Sequence, residues 1–101
     1  MQLTKKEKRV IIDTISKKID GKVKIFLYGS RTRNIKNIDS DIDILILTNK
    51  PIPNQLIREI KIEISDALGG TKIDIVNSRF DNKTAFVQLI EETAILLWER
   101  T

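Results

Sequence analysis

The fold is decided by the stretch LYGSRTRNIKNIDSDIDILIL, residues 27–47. Gly29 and Ser30 close one apolar run, and Asp41 and Asp43 stand at the start of the next. Because side chains alternate along a strand, the two aspartates point to one face and the isoleucines around them point to the other. The stretch therefore predicts two strands joined by a short connection, with a pair of carboxylates at the start of the second strand.

The composition excludes several kinds of chemistry. The chain has 101 residues, 41% hydrophobic and 32% charged, which predicts one small domain over residues 1–101. Cysteine and histidine are both absent, so thiolate or imidazole catalysis and metal ligation are excluded. The apolar runs are too short to span a membrane and the charged N-terminus does not resemble a signal peptide, so we expect a cytoplasmic protein.

The apolar periodicity predicts a single α/β domain. The predicted elements, in chain order, are a helix over 5–19, a strand over 22–28, a short helical piece over 30–34, a strand over 41–48, a helix between Pro53 and Gly69, a strand over 71–77, a helix over 84–92 and a strand over 94–98. In the last helix we expect Phe86, Leu89 and Ile90 to face the core.

The connection lengths predict a mixed sheet of about four strands flanked by helices. Twelve residues separate Tyr28 from Asp41, which is short for a parallel crossover, so the first two strands are predicted to be antiparallel. A whole helix separates the second strand from the third, which favours a right-handed parallel crossover. This topology brings the Gly-Ser turn, the aspartate pair and Asp74 of the third strand to one end of the sheet.

Three carboxylates on one partly buried face repel one another. Two unit charges ~6 Å apart cost about 3 kcal/mol at an effective dielectric of ~20. Taken singly, each aspartate has an ordinary structural explanation: Asp41 caps a turn, Asp43 prevents an edge strand from pairing with another chain, and Asp74 pairs with a basic residue. Together they favour a divalent-cation site, and Mg²⁺ is the natural candidate because it prefers oxygen ligands. The turn at Gly29 and Ser30 could offer backbone N–H groups to a phosphate, or Ser30 could simply cap a helix.

These residues resemble the signature of the minimal nucleotidyltransferases in the DNA polymerase beta superfamily. That signature is Gly-Ser, ten residues, Asp-x-Asp, and a further Asp on a later strand, and here it is carried by Gly29, Ser30, Asp41, Asp43 and Asp74. The family often reads Gly-Ser-x-Ala-Arg-Gly. This chain keeps Arg33 but has Thr32 and Asn34 in place of the alanine and the second glycine.

The resemblance implies Mg²⁺-dependent nucleotidyl transfer within a nucleotidyltransferase-like fold. Two Mg²⁺ ions would bridge the carboxylates and the triphosphate of ATP, and Asp74 would also help to activate the acceptor hydroxyl. The catalytic and metal-binding residues so implied are Asp41, Asp43 and Asp74. The implied nucleotide-binding residues are Gly29, Ser30 and Arg33.

The resemblance also implies a partner. Minimal nucleotidyltransferases usually pair with HEPN-domain proteins, in pairs that resemble toxin–antitoxin systems. We therefore expect an antitoxin that moves AMP from ATP to a tyrosine of a HEPN toxin within a hetero-oligomer. Two alternatives stay open: an antitoxin that neutralises by binding with little or no catalysis, and a small basic nucleic-acid-binding domain. The net charge of +4 allows the last, but no aromatic residues are interleaved with the lysines of residues 1–24, which speaks against nucleic acid.

Overall fold

The computed structural model describes residues 3–29 and 41–101, which form three helices and one four-stranded sheet. The elements are α1 (Lys5–Lys18), β1 (Val23–Tyr28), β2 (Ile42–Thr48), α2 (Asn54–Ala67), β3 (Ile73–Arg79), α3 (Ala85–Thr93) and β4 (Ile95–Arg100). The predicted single α/β domain is confirmed. The short helical piece expected over 30–34 lies outside the described residues.

The sheet has the strand order β3-β2-β1-β4 and is mixed, as predicted. β1 pairs antiparallel with β2, and β2 pairs parallel with β3. β4 joins the free side of β1 in the antiparallel sense. The end of β1 and the starts of β2 and β3 therefore meet at one end of the sheet.

Both faces of the sheet are covered, which explains why β2 is so apolar. Ile42, Ile44 and Ile46 contribute to a large core under α1 and α2, where Ile11 and Ile60 are fully buried. A smaller cluster fills the opposite face under α3 and consists of Phe26, Leu45, Leu47, Val87 and Ile90. A strand buried on both faces needs apolar residues at nearly every position, and β2 departs from this at Asp43 and at its last residue, Thr48.

The ends of α1 are held by side chains. Thr4 and Glu7 form the capping box that their spacing predicts: the Glu7 amide donates to Thr4 Oγ1 at 3.0 Å, and the Thr4 amide donates to Glu7 Oε1 at 2.8 Å. At the other end Arg100 donates to the carbonyl oxygens of Ser16, Ile19 and Gly21. The last residues of β4 therefore anchor the turn that leads from α1 into β1.

The prediction for α3 is wrong in part. Ile90 is buried, but Phe86 and Leu89 are 60% and 65% exposed. A helix that covers one face of a sheet presents only part of its circumference to that face, and Val87 and Ile90 occupy that part. Among the described residues, no helix is long and apolar enough to cross a bilayer.

Candidate active site

Three polar side chains lie in a row across the sheet. Asp43 of β2 is directly opposite Tyr28 of β1 and directly opposite Asp74 of β3. Residues paired in this way share a face of the sheet, and neighbouring strands are about 4.8 Å apart. The register thus places the two carboxylates and the phenol side by side, on the face that α3 covers further along the strands.

Asp43 is the electrostatic centre of this row. Burial, the neighbouring carboxylates of Asp74 and Asp41, and a hydrogen bond with Asp74 all raise the pKa of Asp43, and Lys72 lowers it in part. Burial and then the charges of Asp43 and Asp74 likewise raise the pKa of Tyr28. Negative charge is therefore concentrated here without full compensation, and a bound cation would relieve it.

Asp41 lies slightly apart from the other two carboxylates. Its Oδ2 is 3.6 Å from the Nζ of Lys72, and the two side chains are 40% and 68% exposed. Ion pairs at that exposure contribute little stability, so this contact can be exchanged for another. Within residues 3–29 and 41–101, acidic side chains form no group of three that is close enough to hold a metal ion.

Gly29 lies so close to Asp43 that a side chain at position 29 would collide with the Asp43 carboxylate. A Cβ at Gly29 would lie 2.1 Å from Asp43 Oδ2 and 3.0 Å from its Cγ. The backbone also has a φ of +81° there, a conformation that favours glycine. Gly29, which the family resemblance implies is a nucleotide-binding residue, therefore also leaves room for the Asp43 carboxylate.

The structure thus brings together Gly29, Asp43 and Asp74, with Asp41 beside them. Ser30 and Arg33, the other expected nucleotide-binding residues, lie outside the described residues, as do the departures from the family pattern at Thr32 and Asn34.

Reasoning from the sequence does not find Tyr28 and Lys72. The apolar pattern presents Tyr28 only as the end of one strand and Lys72 only as the start of another. Both lie within two positions of a predicted site residue, but their contact with the carboxylates depends on strand register. The signal that could have found them is the pairing of Asp43 with both neighbouring strands, once the sheet order is known.

Comparison with protein families identifies the kind of domain that carries these residues. A family model described as polymerase beta, nucleotidyltransferase, matches residues 9–101. The chain belongs to this family. The matched residues include all four strands of the sheet and therefore its carboxylate end. None of the curated proteins matches the sequence significantly.

Solved structures share the fold of the nucleotidyltransferase domain. One match is to a complex of a tri-AMPylated HEPN toxin from Shewanella oneidensis with an MNT antitoxin, at 24% identity and a TM-score of 0.73, covering 97% of this chain and 72% of that chain. A second is to a toxin–antitoxin with AMP-PNP, at 25% identity and a TM-score of 0.77, covering 90% and 72%. A third is to a mutant of the toxin–antitoxin MntA-HpeT, at 23% identity and a TM-score of 0.75, covering 90% and 71%.

Proposed function

We propose that this nucleotidyltransferase domain is the antitoxin of a HEPN toxin and transfers AMP from ATP to a tyrosine hydroxyl group of that toxin. The observation that carries the proposal is the adjacent pair Asp43 and Asp74, with Gly29 against Asp43. The family supports nucleotidyl transfer, and the similar solved structures include a complex of an antitoxin with an AMPylated HEPN toxin and a toxin–antitoxin with AMP-PNP. A cytoplasmic location, where ATP is available, agrees with this activity.

The carboxylates fit a divalent cation. Asp43 and Asp74 are close enough to share a hydrogen bond, burial disfavours the charge on Asp43, and all their donor atoms are oxygen. Hard oxygen donors of this kind suit Mg²⁺. We propose that Asp41, Asp43 and Asp74 hold Mg²⁺, two ions by analogy with the family, and that Asp41 exchanges its contact with Lys72 for this role. Bound Mg²⁺ would supply positive charge to the triphosphate and to the reacting oxygens.

The chain's own residues would then act on the reacting groups. The acceptor oxygen forms a bond to the α-phosphorus of ATP, the bond from that phosphorus to the bridging oxygen breaks, and pyrophosphate leaves. Asp74 would orient the acceptor hydroxyl and receive its proton, and Gly29 keeps Asp43 in place. Ser30 and Arg33 are proposed to bind the phosphates, on the family pattern alone.

A second candidate is an antitoxin that acts by binding alone. Two observations favour it: Asp41 contacts Lys72, and the carboxylates of the described residues do not converge as a set of three. The two candidates differ in whether the carboxylates are needed for protection of the cell.

The test needs a HEPN-domain protein as acceptor, which is sought first among the products of the neighbouring genes. The pair is incubated with Mg²⁺ and ATP labelled at the α-phosphate, and the label on the partner is measured. We expect transfer that is lost in Asp43→Asn and in Asp74→Asn but kept in Asp13→Asn, which removes the same charge from an exposed position on α1. Cells protected fully by Asp41→Asn/Asp43→Asn would establish binding as sufficient and overturn the catalytic proposal.

A further inference from the structure

A cleft of about 420 Å³ lies at the opposite end of the sheet from the carboxylates. It opens between the α1–β1 turn and the β2–α2 connection, beside the pair formed by Val23 and Thr48. The pair formed by Tyr28 and Asp43 lies five residues along β1, which is about 17 Å at the rise of a strand. The cleft is therefore separate from the candidate active site.

One wall of the cleft is fixed by a side-chain amide. Asn77 Oδ1 accepts from the Ile52 amide at 2.8 Å, and Asn77 Nδ2 donates to the Ile46 carbonyl at 2.9 Å and to Thr48 Oγ1 at 3.1 Å. Thr48 Oγ1 in turn donates to the Lys50 carbonyl at 2.6 Å. A connection held by four such hydrogen bonds has little freedom to collapse into the cleft.

The other wall is fixed by Arg100. Its Nε donates to the Gly21 carbonyl at 2.8 Å, and a terminal nitrogen donates to the Ser16 carbonyl at 3.2 Å. The second terminal nitrogen contacts the Ile19 carbonyl. Both walls are thus set by long-range contacts, so the shape of the cleft exists before any ligand arrives, which lowers the entropic cost of binding.

The lining combines an apolar surface with positive charge. Ile19, Ile52 and Leu56 provide aliphatic surface, and Lys22 and Lys50 provide the charge. Lys22 Nζ stands 4.5 Å from the centre of the Phe80 ring, and Lys50 forms no ion pair among the described residues. Lysine ammonium groups are suited to phosphate as compact point charges.

The remaining charges at the cleft do not cancel this balance. Lys18 also lines it but is engaged by Glu63 at 3.1 Å, and Asp20 is the acidic residue of the lining. Because Glu63 balances the charge of Lys18, Lys22 and Lys50 against Asp20 leave a surplus of one positive charge. A ligand that joins a phosphate group to a body with apolar faces matches this lining.

We propose that the cleft is a second, non-catalytic binding site for a small phosphate monoester whose body has apolar faces, of the nucleoside monophosphate class. The volume lies in the lower part of the range of ~300–1,000 Å³ found for small-molecule sites, and the two fixed walls confine it. Among the described residues no aromatic side chain lines the cleft, so these residues do not offer it the stacking platform of a single-stranded nucleic-acid site. The site goes beyond AMP transfer and does not require it.

The proposal is tested by adding AMP to the ¹⁵N-labelled chain without divalent cations. We expect saturable shifts of the amide signals of Gly21, Lys50 and Leu56. Lys22→Gln/Lys50→Gln should weaken AMP binding at least tenfold, because it removes the charge that receives the phosphate. Adenosine and inorganic phosphate should each bind at least tenfold more weakly than AMP, since each supplies one half of the interaction.

Two matched variants show whether AMP binds at the cleft itself. Lys5→Gln/Lys8→Gln removes the same charge from exposed positions on α1 and should leave the affinity for AMP within twofold. Asp43→Asn should also leave it within twofold, even though it abolishes transfer under the proposed function. AMP shifts confined to Tyr28 and its neighbours, or equal weakening in both lysine pairs, would overturn the proposal. So would binding of a single-stranded oligonucleotide to the cleft where AMP fails to bind.

Discussion

Replacement of Gly29 by alanine tests how the carboxylate site is shaped. The added Cβ would stand 2.1 Å from Asp43 Oδ2, whereas carbon and oxygen atoms in close contact are about 3.3 Å apart. The Asp43 carboxylate must therefore move by about 1 Å. A displacement of that size in a reacting site can cost about 100-fold in rate, so we expect AMP transfer to the partner to fall by about two orders of magnitude.

The same substitution also strains the backbone. A residue other than glycine at a φ of +81° costs about 1–2 kcal/mol, and each kcal/mol lowers the melting temperature of a domain near this size by about 4–8 °C. The loss of stability alone would leave most of the chain folded at 25 °C in a protein of ordinary stability. Activity should therefore fall much further than the folded fraction does.

Gly21→Ala is the matched control for this prediction. Gly21 has the same φ of +81°, but a Cβ there meets no atom within 4 Å. The two variants should thus lose similar stability in thermal unfolding, while Gly21→Ala keeps near wild-type transfer of labelled AMP. If Gly29→Ala transferred AMP at the rate of Gly21→Ala, the close contact between Gly29 and Asp43 would have no role in the site.

Three further outcomes follow from charge, packing and hydrogen bonding. The folded-state pKa of Asp43 is raised above its ordinary value of 3.8, mainly by burial and by the charge of Asp74. Its contribution to stability is therefore fully present below pH 3.8 and is lost as the pH rises through the folded-state pKa. Without divalent cations, Asp43→Asn should be more stable than wild type at pH 7 but not at pH 3, as measured by urea unfolding at both pH values. In the same assay, Ile90→Ala should lower the free energy of unfolding by about 2–4 kcal/mol and Phe86→Ala by less than about 1 kcal/mol, because Ile90 is buried and Phe86 is exposed. Equal losses in the two variants would contradict the orientation of α3. Asn77→Ala should lower the free energy of unfolding by about 2–3 kcal/mol, because it leaves a backbone donor and a backbone acceptor without their partner. The control Asn82→Ala, at an exposed position, should lower it by less than about 0.5 kcal/mol. A loss at Asn77 as small as that of the control would show that water replaces the contacts of Asn77.

The sheet and its carboxylate end could be predicted from the sequence because two local signals agree. The alternation of side chains along β2 determines on which face of the sheet Asp43 lies. The lengths of the connections determine the relative directions of β1, β2 and β3. Together they place Asp74 beside Asp43 without knowledge of any other contact, and the parallel register of β2 and β3 confirms that placement.

The orientation of α3 could not be predicted because its own periodicity is ambiguous. The nine residues AFVQLIEET include five apolar side chains, so no single stripe stands out from which the buried face could be chosen. Packing against the sheet determines the buried face of α3, because Val87 and Ile90 belong to the small apolar cluster on that side of the sheet.

Contacts across long stretches of chain were also beyond the sequence pattern. Arg100 reaches the Ser16 carbonyl over 84 positions, and Asn77 reaches the Ile46 carbonyl over 31. Polar residues of this kind look like ordinary surface residues until the register and the sheet order are known. The cleft that they frame is for the same reason a property of the fold and was not predicted.

The most direct test of the proposed site is whether Asp43 and Asp74 make nucleotide binding depend on a divalent cation. The affinity for AMP-PNP is measured by calorimetry with and without Mg²⁺, for the chain in complex with the HEPN protein used as acceptor, as wild type, Asp43→Asn and Asp74→Asn. We expect Mg²⁺ to raise the wild-type affinity at least tenfold and to leave the affinity of both variants unchanged. An equal gain in wild type and in both variants would contradict the site, because the cation would then be held elsewhere.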